Sequence, residues 1–249
     1  MEQELKDPGL KGRAALVLGG SRGIGAAIVE RLARDGARVA FTYASSPDHA
    51  AARVAAIQAA GGEAAAFQAD SADADQIKAA VDQAVERFGR LDILVVNAGV
   101  LTMGTVEQLS IADFDRLVAV NVRGVFAAIH HAAPRLADGG RIVTIGSNSA
   151  ERVAFAGGGS YAMSKAAVAT LVRGAAIDLA PRRITVNNVQ PGPTATDMTS
   201  GLDELVKPLI PLGRMGETRE VAGLVSYLVR EEAGFMTGAS LTIDGGYVA

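Results

Sequence analysis

Arg13-Ala14-Ala15-Leu16-Val17-Leu18-Gly19-Gly20-Ser21-Arg22-Gly23-Ile24-Gly25 decides the fold, because an apolar run passes directly into a glycine-rich turn. The apolar run predicts a buried strand over 13–19, and the apolar spacing that follows predicts a helix over 23–35. Glycine tolerates positive φ and lets backbone N–H groups approach an anion at a helix N-terminus, where the helix dipole favours negative charge. The stretch therefore predicts a phosphate cradle between strand and helix; a glycine turn that serves packing alone is the alternative.

The same alternation of strand and helix continues along the chain. Further short apolar runs predict strands at 37–43, 63–69, 91–96, 140–146, 183–189 and 240–243. Segments of helical period predict helices at 47–60, 73–88, 111–137, 161–180 and 217–231. Strands that are apolar almost throughout indicate a parallel sheet covered on both faces, and right-handed crossovers favour a doubly wound, Rossmann-type α/β fold. We expect a single domain over 1–249.

Composition narrows the class of protein. The chain has 249 residues, 49% of them hydrophobic, and a net charge of −3 with no basic stripe, so nucleic acid is not an expected partner. It has no cysteine, which excludes disulfides, thiolate metal sites and cysteine nucleophiles. Residues 1–8 are polar and resemble neither a signal nor a transit peptide, and no apolar run reaches membrane-spanning length. We therefore expect a cytoplasmic protein without membrane contact.

The three histidines form no metal-binding pattern. His130 and His131 are adjacent, so on a helix they point about 100° apart, and neither has a carboxylate three or four residues further on. We interpret them as helix-surface or subunit-contact residues, and His49 as part of a polar loop-to-helix stretch. No metal is predicted.

The end of the second predicted strand indicates which dinucleotide the cradle holds. The glycine spacing G-x-x-x-G-x-G lacks the G-K-[ST] ending of a P-loop. An NAD site usually places an acid after this strand, whereas Phe41-Thr42-Tyr43-Ala44-Ser45-Ser46 contains none. Arg22 can instead receive a 2′-phosphate together with hydroxyl groups of Thr42, Ser45 and Ser46. The sequence thus predicts NADP(H); an Arg22 that is only a solvated loop cation is the alternative.

A tyrosine and a lysine are spaced to share one helix face. Tyr161 and Lys165 are four residues apart in a predicted helix, which places a phenol and an ammonium about one turn from each other. A nearby cation favours the phenolate and is expected to move the tyrosine pKa toward the range useful for proton transfer. Alone, the spacing also fits an exposed helical pair.

The one long irregular region lies at about 190–213 and is rich in proline and glycine around apolar residues. This mixture is typical of a mobile, partly apolar substrate lid, which we place at about 193–213; an ordered surface loop is the alternative.

Six motifs occur in one order and together carry a family resemblance. They are the cradle, Asn97-Ala98-Gly99, Asn121-Val122-Arg123-Gly124, Ile145-Gly146-Ser147, Tyr161-x-x-x-Lys165 and Pro191-Gly192-Pro193-Thr194-Ala195-Thr196-Asp197. The chain resembles the short-chain dehydrogenase/reductase family over nearly its whole length, close to 3-oxoacyl-acyl-carrier-protein reductases. The resemblance implies a seven-stranded doubly wound sheet, a small-molecule carbonyl or alcohol substrate and a homotetramer.

The resemblance also implies roles for individual residues. Tyr161 would protonate the carbonyl oxygen, and Ser147 would hydrogen-bond it. Lys165 would bind the nicotinamide ribose and lower the tyrosine pKa, while Asn121 would position a water that links Lys165 to solvent. The implied cofactor contacts are Gly19, Ser21, Arg22, Gly23, Ile24, Thr42, Ser45, Asp70, Ser71, Asn97, Gly99, Tyr161, Lys165, Pro191, Gly192, Thr194 and Thr196.

Three departures from the family pattern stand out. Leu18 replaces the usual threonine before the first glycine, so a hydroxyl that braces the cradle is missing, and Val96 replaces the commoner first Asn of N-N-A-G. The serine-to-tyrosine separation is often thirteen residues, but Ser147 lies fourteen and Ser149 twelve residues before the tyrosine. We favour Ser147 because it directly follows the strand at 140–146.

Two functions compete. The first is an NADPH-dependent reductase of ketones or aldehydes, with Arg152 either attracting an acidic substrate group or solvated. Apolar residues that either line its cleft or belong to the core are Leu101, Met103, Val153, Phe155, Met198, Leu202 and Leu205. The second is a cyclic-dinucleotide-binding regulator, because Phe41-Thr42-Tyr43-Ala44, residues 91–99 and residues 189–193 are similar to a family branch that includes a mediator of biofilm dispersal. The complete acid–base set favours the enzyme.

Overall fold

A computed structural model describes residues 9–249; the stretch 1–8, on which the prediction about a signal or transit peptide rests, lies outside the described residues. Seven parallel strands form one sheet in the order β3-β2-β1-β4-β5-β6-β7. They are β1 Ala14–Leu18, β2 Arg38–Tyr43, β3 Ala64–Gln68, β4 Leu91–Val96, β5 Leu136–Ile145, β6 Thr185–Pro191 and β7 Ser240–Ile243. The predicted doubly wound α/β fold is confirmed.

Eight α-helices connect or follow the strands within the described part of the chain. They are α1 Gly23–Arg34, α2 Pro47–Ala59, α3 Ala74–Phe88, α4 Ile111–Val118, α5 Gly124–Ala132, α6 Gly159–Leu179, α7 Asp203–Val206 and α8 Thr218–Leu228. Between residues 9 and 249, no helix has the length and apolar character needed to cross a membrane.

Local signals explain where several helices begin and end. The Asp73 carboxylate accepts hydrogen bonds from the backbone N–H groups of residues 75 and 76 and so caps α3, which ends at Gly89 with a φ of 73°. Ser110 caps α4 in the same way. The helix predicted over 111–137 is wrong at its C-terminal end, because β5 begins at Leu136 and pairs there with Leu91 before a register irregularity.

The sheet separates two hydrophobic cores. On one face, α3, α5 and α6 pack against the strands through residues such as Val81, Val125 and Val172. On the other face, α1, α2 and α8 contribute residues such as Ile28 and Val225. Burial on both faces explains why the central strands read as continuous apolar runs, which β1 and β4 show with every residue buried.

The strand order reverses between β1 and β4, so the connections from these two strands lead to opposite faces of the sheet. In doubly wound sheets, ligands bind in the crevice at the carboxyl ends of the strands at this switch point. The topology therefore points to one edge of the sheet as the functional site.

Candidate active site

Most of the predicted site residues lie at the carboxyl edge of the sheet, after the strands or in the first turn of α1. They lie after β1 (Gly19, Ser21, Arg22, Gly23, Ile24), in or after β2 (Thr42, Ser45), after β3 (Asp70, Ser71), after β4 (Asn97, Gly99), after β5 (Ser147) and at or after the end of β6 (Pro191, Gly192, Thr194, Thr196). Tyr161 and Lys165 are on α6, and Asn121 is in a π-helical turn between α4 and α5.

The glycine cradle is too tightly packed for any other residue at two of its positions. A Cβ atom at Gly25 would lie 2.0 Å from the carbonyl oxygen of Gly19, and one at Gly20 would lie 2.5 Å from Cβ of Phe41. Gly19 and Gly23 also adopt positive φ angles of 77° and 54°. The turn leaves the N-terminus of α1 accessible to an anion, as a pyrophosphate site requires.

Thr42 braces the cradle instead of facing a ligand. Its hydroxyl accepts the backbone N–H of Gly19 at 2.9 Å, and its side chain is buried. The prediction that this hydroxyl meets a 2′-phosphate is therefore corrected. The neighbouring strand thus supplies a bracing hydroxyl where Leu18 has none, a contact that sequence reasoning missed because it joins two strands.

The side chains of Arg22 and Ser45 are exposed beside the cradle. No hydrogen bond or ion pair within residues 9–249 engages the Arg22 guanidinium, so it is free to receive an anionic group. Asn97 lies on the other side, where its amide donates to the carbonyl oxygen of Gly19 at 2.8 Å and ties β4 to the cradle.

At the β3 end, Asp70 forms a two-pronged ion pair with Arg116 of α4, at 3.1 and 3.2 Å. The backbone N–H of Ala72 and the Arg116 guanidinium hold the pKa of Asp70 below its ordinary value. The Ser71 carbonyl packs closely against Gly124, where a Cβ would lie 2.2 Å away. A role for Asp70 and Ser71 beside an adenine stays a prediction.

Tyr161 and Lys165 lie on one face of α6, with the lysine Nζ 5.6 Å from the tyrosine ring centroid. Lys165 is buried and donates to the carbonyl oxygen of Ile145 at 3.0 Å. Because burial disfavours the charged amine, it lowers the pKa of Lys165 to about 8. The amine therefore stays mostly protonated at neutral pH and titrates just above it.

The expected lowering of the tyrosine pKa is not found in the protein without a cofactor. Burial raises the pKa of Tyr161, and a hydrogen bond with Ser147 acts in the opposite direction. Removal from water disfavours the phenolate, and this effect exceeds that of the Ser147 hydrogen bond.

Ser147 is the serine that contacts Tyr161, and Ser149 lies behind it. The Ser147 hydroxyl accepts the backbone N–H of Ser149 and donates to its hydroxyl, both at 3.1 Å. The side chain of Ser147 is thereby held at the end of β5, next to the phenol. Ser149 is thus hydrogen-bonded to Ser147 through both its hydroxyl and its backbone N–H.

Asn121 is buried in the π-helical turn Ala119–Arg123, a helix defect that often occurs at functional sites. Its amide donates to the Val100 carbonyl at 2.9 Å and to the Ser164 hydroxyl at 3.1 Å, and it accepts the Val100 N–H at 2.9 Å. Both amide hydrogens are occupied, so a water-positioning role for Asn121 stays a prediction.

Ser164 was missed by sequence reasoning although it lies three residues after Tyr161. Its hydroxyl donates to the Tyr161 carbonyl at 2.7 Å and accepts from Asn121, which locks α6 to the end of β4. The serine within Tyr-x-x-Ser-Lys was the available signal.

The segment after β6 forms a self-bonded turn that reaches the cradle. The Thr199 hydroxyl donates to the Thr194 carbonyl at 2.6 Å and accepts the Thr196 N–H at 3.1 Å. A Cβ at Gly23 would lie 3.5 Å from the Thr196 methyl group, so this turn and the cradle form two walls of one crevice.

The apolar residues proposed for the cleft are mostly exposed and so do not belong to the core. Met103, Val153, Met198, Leu202 and Leu205 are between 36% and 57% exposed, and Phe155 is half-buried. They lie on segments that follow the carboxyl ends of β4, β5 and β6. These segments form an apolar rim around the edge where Tyr161 lies.

Arg152 is held by the C-terminal segment. Its guanidinium donates to the Tyr247 carbonyl at 2.8 Å and lies 5.7 Å from the centre of that ring. This bond uses one of the five guanidinium N–H donors and the side chain is exposed, so the interpretations of Arg152 as a substrate anchor or a solvated cation both stay predictions.

The same C-terminal segment, which forms a turn at 245–248, also contacts the region at 203–215. The Leu212 N–H donates to the Gly245 carbonyl at 3.2 Å, and Val206, Ile210, Met215 and Tyr247 form a small separate hydrophobic cluster. Two short helical turns, Asp203–Val206 and Lys207–Leu209, lie in this region.

The family described as Enoyl-(Acyl carrier protein) reductase matches residues 19–248. A short-chain dehydrogenase/reductase from Serratia marcescens has 57% identity, with a TM-score of 0.94 over 96% of this chain and 99% of its own. The chain belongs to the short-chain dehydrogenase/reductase family. Its members act as oxidoreductases on carbonyl and alcohol groups, and so does this protein.

Other short-chain dehydrogenase/reductases are similar over equal lengths. The cyclic-di-GMP-binding biofilm dispersal mediator protein of Escherichia coli is 46% identical over 96% of this chain and 98% of its own. The 3-oxoacyl-[acyl-carrier-protein] reductase of Staphylococcus aureus is 39% identical over 94% and 97%. A short-chain dehydrogenase from Burkholderia cenocepacia in complex with NADP is 49% identical, with a TM-score of 0.94 and coverage of 96% and 99%.

Within residues 9–249 of this short-chain dehydrogenase/reductase, no group of His, Cys, Asp or Glu is arranged to hold a metal ion. His130 and His131 lie on α5, exposed and half-buried respectively.

Proposed function

We propose that the protein is an NADPH-dependent reductase that converts an apolar ketone or aldehyde into an alcohol. The observation that carries the proposal is the contact of Tyr161 with Ser147 at the carboxyl edge, one helical turn from the buried Lys165 amine. A phenol and a hydroxyl placed together suit a carbonyl oxygen that gains negative charge and then a proton.

Each residue of this group has a distinct task. The bound dinucleotide supplies the hydride that reaches the carbonyl carbon. When substrate binds, the Ser147 hydroxyl donates its hydrogen to the substrate oxygen in place of Ser149, and Tyr161 transfers its phenolic proton to that oxygen. Lys165, protonated at neutral pH, stabilises the phenolate that Tyr161 becomes.

The residues around the cradle fit NADP(H). The glycines of the cradle let its backbone N–H groups approach a pyrophosphate. The exposed Arg22 is free to bind a 2′-phosphate, and residues 41–46 include no acidic residue that would repel this phosphate. The Burkholderia cenocepacia relative in complex with NADP supports the same cofactor.

The rim of the site favours an apolar substrate. Met103, Val153 and Leu205 are exposed on the segments that follow the carboxyl ends of β4, β5 and β6. Keto esters, 3-oxoacyl thioesters and simple aryl or alkyl ketones fit this rim better than keto acids do.

The test is loss of NADPH absorbance with a panel of aryl ketones, aldehydes, a keto ester, a 3-oxoacyl thioester and matched keto acids. We expect turnover of at least one apolar carbonyl compound and slower turnover of its keto-acid counterpart. Faster turnover of the keto acids would contradict the apolar cleft, and no turnover of any compound would contradict the reductase.

The second candidate is a cyclic-dinucleotide-binding regulator, which the 46% identity to the biofilm dispersal mediator favours. Calorimetry with cyclic-di-GMP tests it directly. Tight binding by a protein that reduces none of the panel would make the regulator the better function.

Ser147→Ala is expected to lower kcat by roughly 10²-fold, the usual effect of losing one donor to a developing oxyanion. Ser149→Ala should change kcat less than about fivefold, because Ser149 contacts Ser147 and not the phenol. Steady-state rates of the two variants decide between them. The reverse order of effects would assign the catalytic role to Ser149.

A single domain over 1–249, a substrate lid at 193–213, a homotetramer and a cytoplasmic location complete the proposal. Support for the lid comes from the exposed Met198 and Leu205 on short turns beside the crevice. Support for assembly comes from the exposed Phe126 on α5 and Ile177 on α6.

A further inference from the structure

We propose that Arg53, on α2, is a second cationic residue of the 2′-phosphate site and acts together with Arg22. The inference rests on the proposed NADP(H) dependence and adds a residue that lies outside every motif of the sequence. It makes Arg53 a determinant of the choice between the phosphorylated and unphosphorylated dinucleotide.

The position of Arg53 links it to the cradle. Its Nη2 lies 3.5 Å from the Ser21 carbonyl oxygen, inside the glycine-rich turn. Arg53 follows Ser46 by seven residues on α2, so both lie on one helix face. The Arg53 guanidinium therefore lies beside the glycine-rich turn that contains Ser21 and Arg22.

The charges around Arg53 hold it ready for an anion. Its Nη1 forms an ion pair with Glu30 of α1, and the Arg53 side chain is 18% exposed whereas that of Glu30 is 52% exposed. A cation removed from water interacts more strongly with a nearby phosphate than a solvated one does. The more exposed Glu30 carboxylate therefore anchors the less exposed guanidinium.

One donor of Arg53 has no acceptor. Its Nε is buried and lacks a hydrogen-bond partner among the described residues. Leaving a buried donor unpaired is unfavourable, so a ligand that brings acceptor oxygens is favoured here. A phosphate satisfies the planar fork of a guanidinium, which a ribose hydroxyl does less well.

The alternative role for Arg53 is to tie α1 to α2 through Glu30. Arg53→Gln removes both the charge and the ion pair, whereas Glu30→Gln removes the ion pair and keeps the cation. Arg34→Gln, at the exposed C-terminal end of α1, is the matched control for a change of one charge.

The experiment is calorimetry of wild type and the three variants with 2′,5′-ADP, NADPH and NADH. We expect Arg53→Gln to weaken 2′,5′-ADP and NADPH binding about tenfold, the effect of one charge-assisted hydrogen bond. NADH binding should stay within about twofold and so show an intact cradle. Glu30→Gln and Arg34→Gln should retain wild-type affinity for 2′,5′-ADP.

Three results would overturn the inference: equal weakening of NADPH and NADH in Arg53→Gln, no weakening of either, or a loss in Glu30→Gln that matches Arg53→Gln. If Arg53→Gln does not fold, Arg53→Lys replaces it, with a smaller loss confined to the phosphorylated ligands as the expected result. A wild type that does not prefer NADPH would refute the NADP(H) proposal itself, whereas a preference that Arg53→Gln retains refutes only the role of Arg53.

Discussion

Tyr161→Phe is expected to lower kcat by about 10³-fold, within the range that general acid catalysis contributes, and to leave NADPH affinity within about twofold. The substitution removes only the phenolic hydroxyl that contacts Ser147, while the ring beside Lys165 remains. The measurements are steady-state rates with the best substrate of the panel and a fluorescence titration with NADPH.

The control for this variant is Tyr227→Phe. Tyr227 lies on α8 and is 40% exposed, so loss of its hydroxyl should leave both kcat and NADPH affinity unchanged. A Tyr161→Phe protein that keeps more than about a tenth of wild-type kcat would show that another group supplies the proton.

Lys165→Met is expected to abolish most turnover and at the same time to stabilise the protein without cofactor. Burial moves the lysine pKa from 10.5 to about 8, which corresponds to a cost of about 3 kcal/mol for keeping the amine charged at pH 7. Methionine avoids that cost but leaves the Ile145 carbonyl without its donor, a loss of about 1 kcal/mol. The net gain should be about 2 kcal/mol in the free energy of unfolding.

The gain in unfolding free energy from Lys165→Met should decrease as the pH rises. The folded-state pKa of Lys165 lies below the unfolded value, so between about pH 8 and 10.5 the unfolded chain binds more protons. Raising the pH through this window therefore favours the folded wild type by up to about 1.4 kcal/mol per pH unit and does not affect the variant through this group. Tyr161 does not interfere, because its pKa lies above its ordinary value of 10.

Denaturant unfolding at pH 7.5 and 9.5, without cofactor, measures both effects. Between these pH values, the unfolding free energy of the wild type should rise by roughly 2 kcal/mol relative to that of Lys165→Met. A gap in unfolding free energy that is independent of pH would show that the amine is not held charged in the folded protein.

The fold was predictable from sequence because both faces of the sheet are covered. This burial made the strands visible as apolar runs, so β4 and β7 were predicted with their observed bounds at 91–96 and 240–243. The boundary that failed, between α5 and β5, depends on the pairing of Leu136 with Leu91, a contact between distant residues that no local pattern contains.

The site was predictable where a motif places residues at a strand end, as with Gly19 and Ser147. It was not predictable where function depends on which way a side chain points. Thr42 lies at the expected place, but its hydroxyl accepts the Gly19 N–H, and one N–H group of Arg152 donates to the Tyr247 carbonyl. The predicted direction of the Tyr161 pKa shift was wrong for a related reason. The sequence spacing indicates that Lys165 is near, but it does not show that Tyr161 is removed from water.

The C-terminal turn is a place outside the acid–base group where substitutions can change the substrate range. Its backbone carbonyls accept hydrogen bonds from Arg152 and Leu212, which lie on the segments after β5 and β6. None of its residues belongs to the acid–base group of Tyr161, Ser147 and Lys165. Val248 packs on the hydrophobic cluster of Val206 and Ile210. A library of substitutions at Val248 would shift the segment after β6 relative to the segment after β5. It would thereby sample new cleft shapes while the acid–base residues stay unchanged.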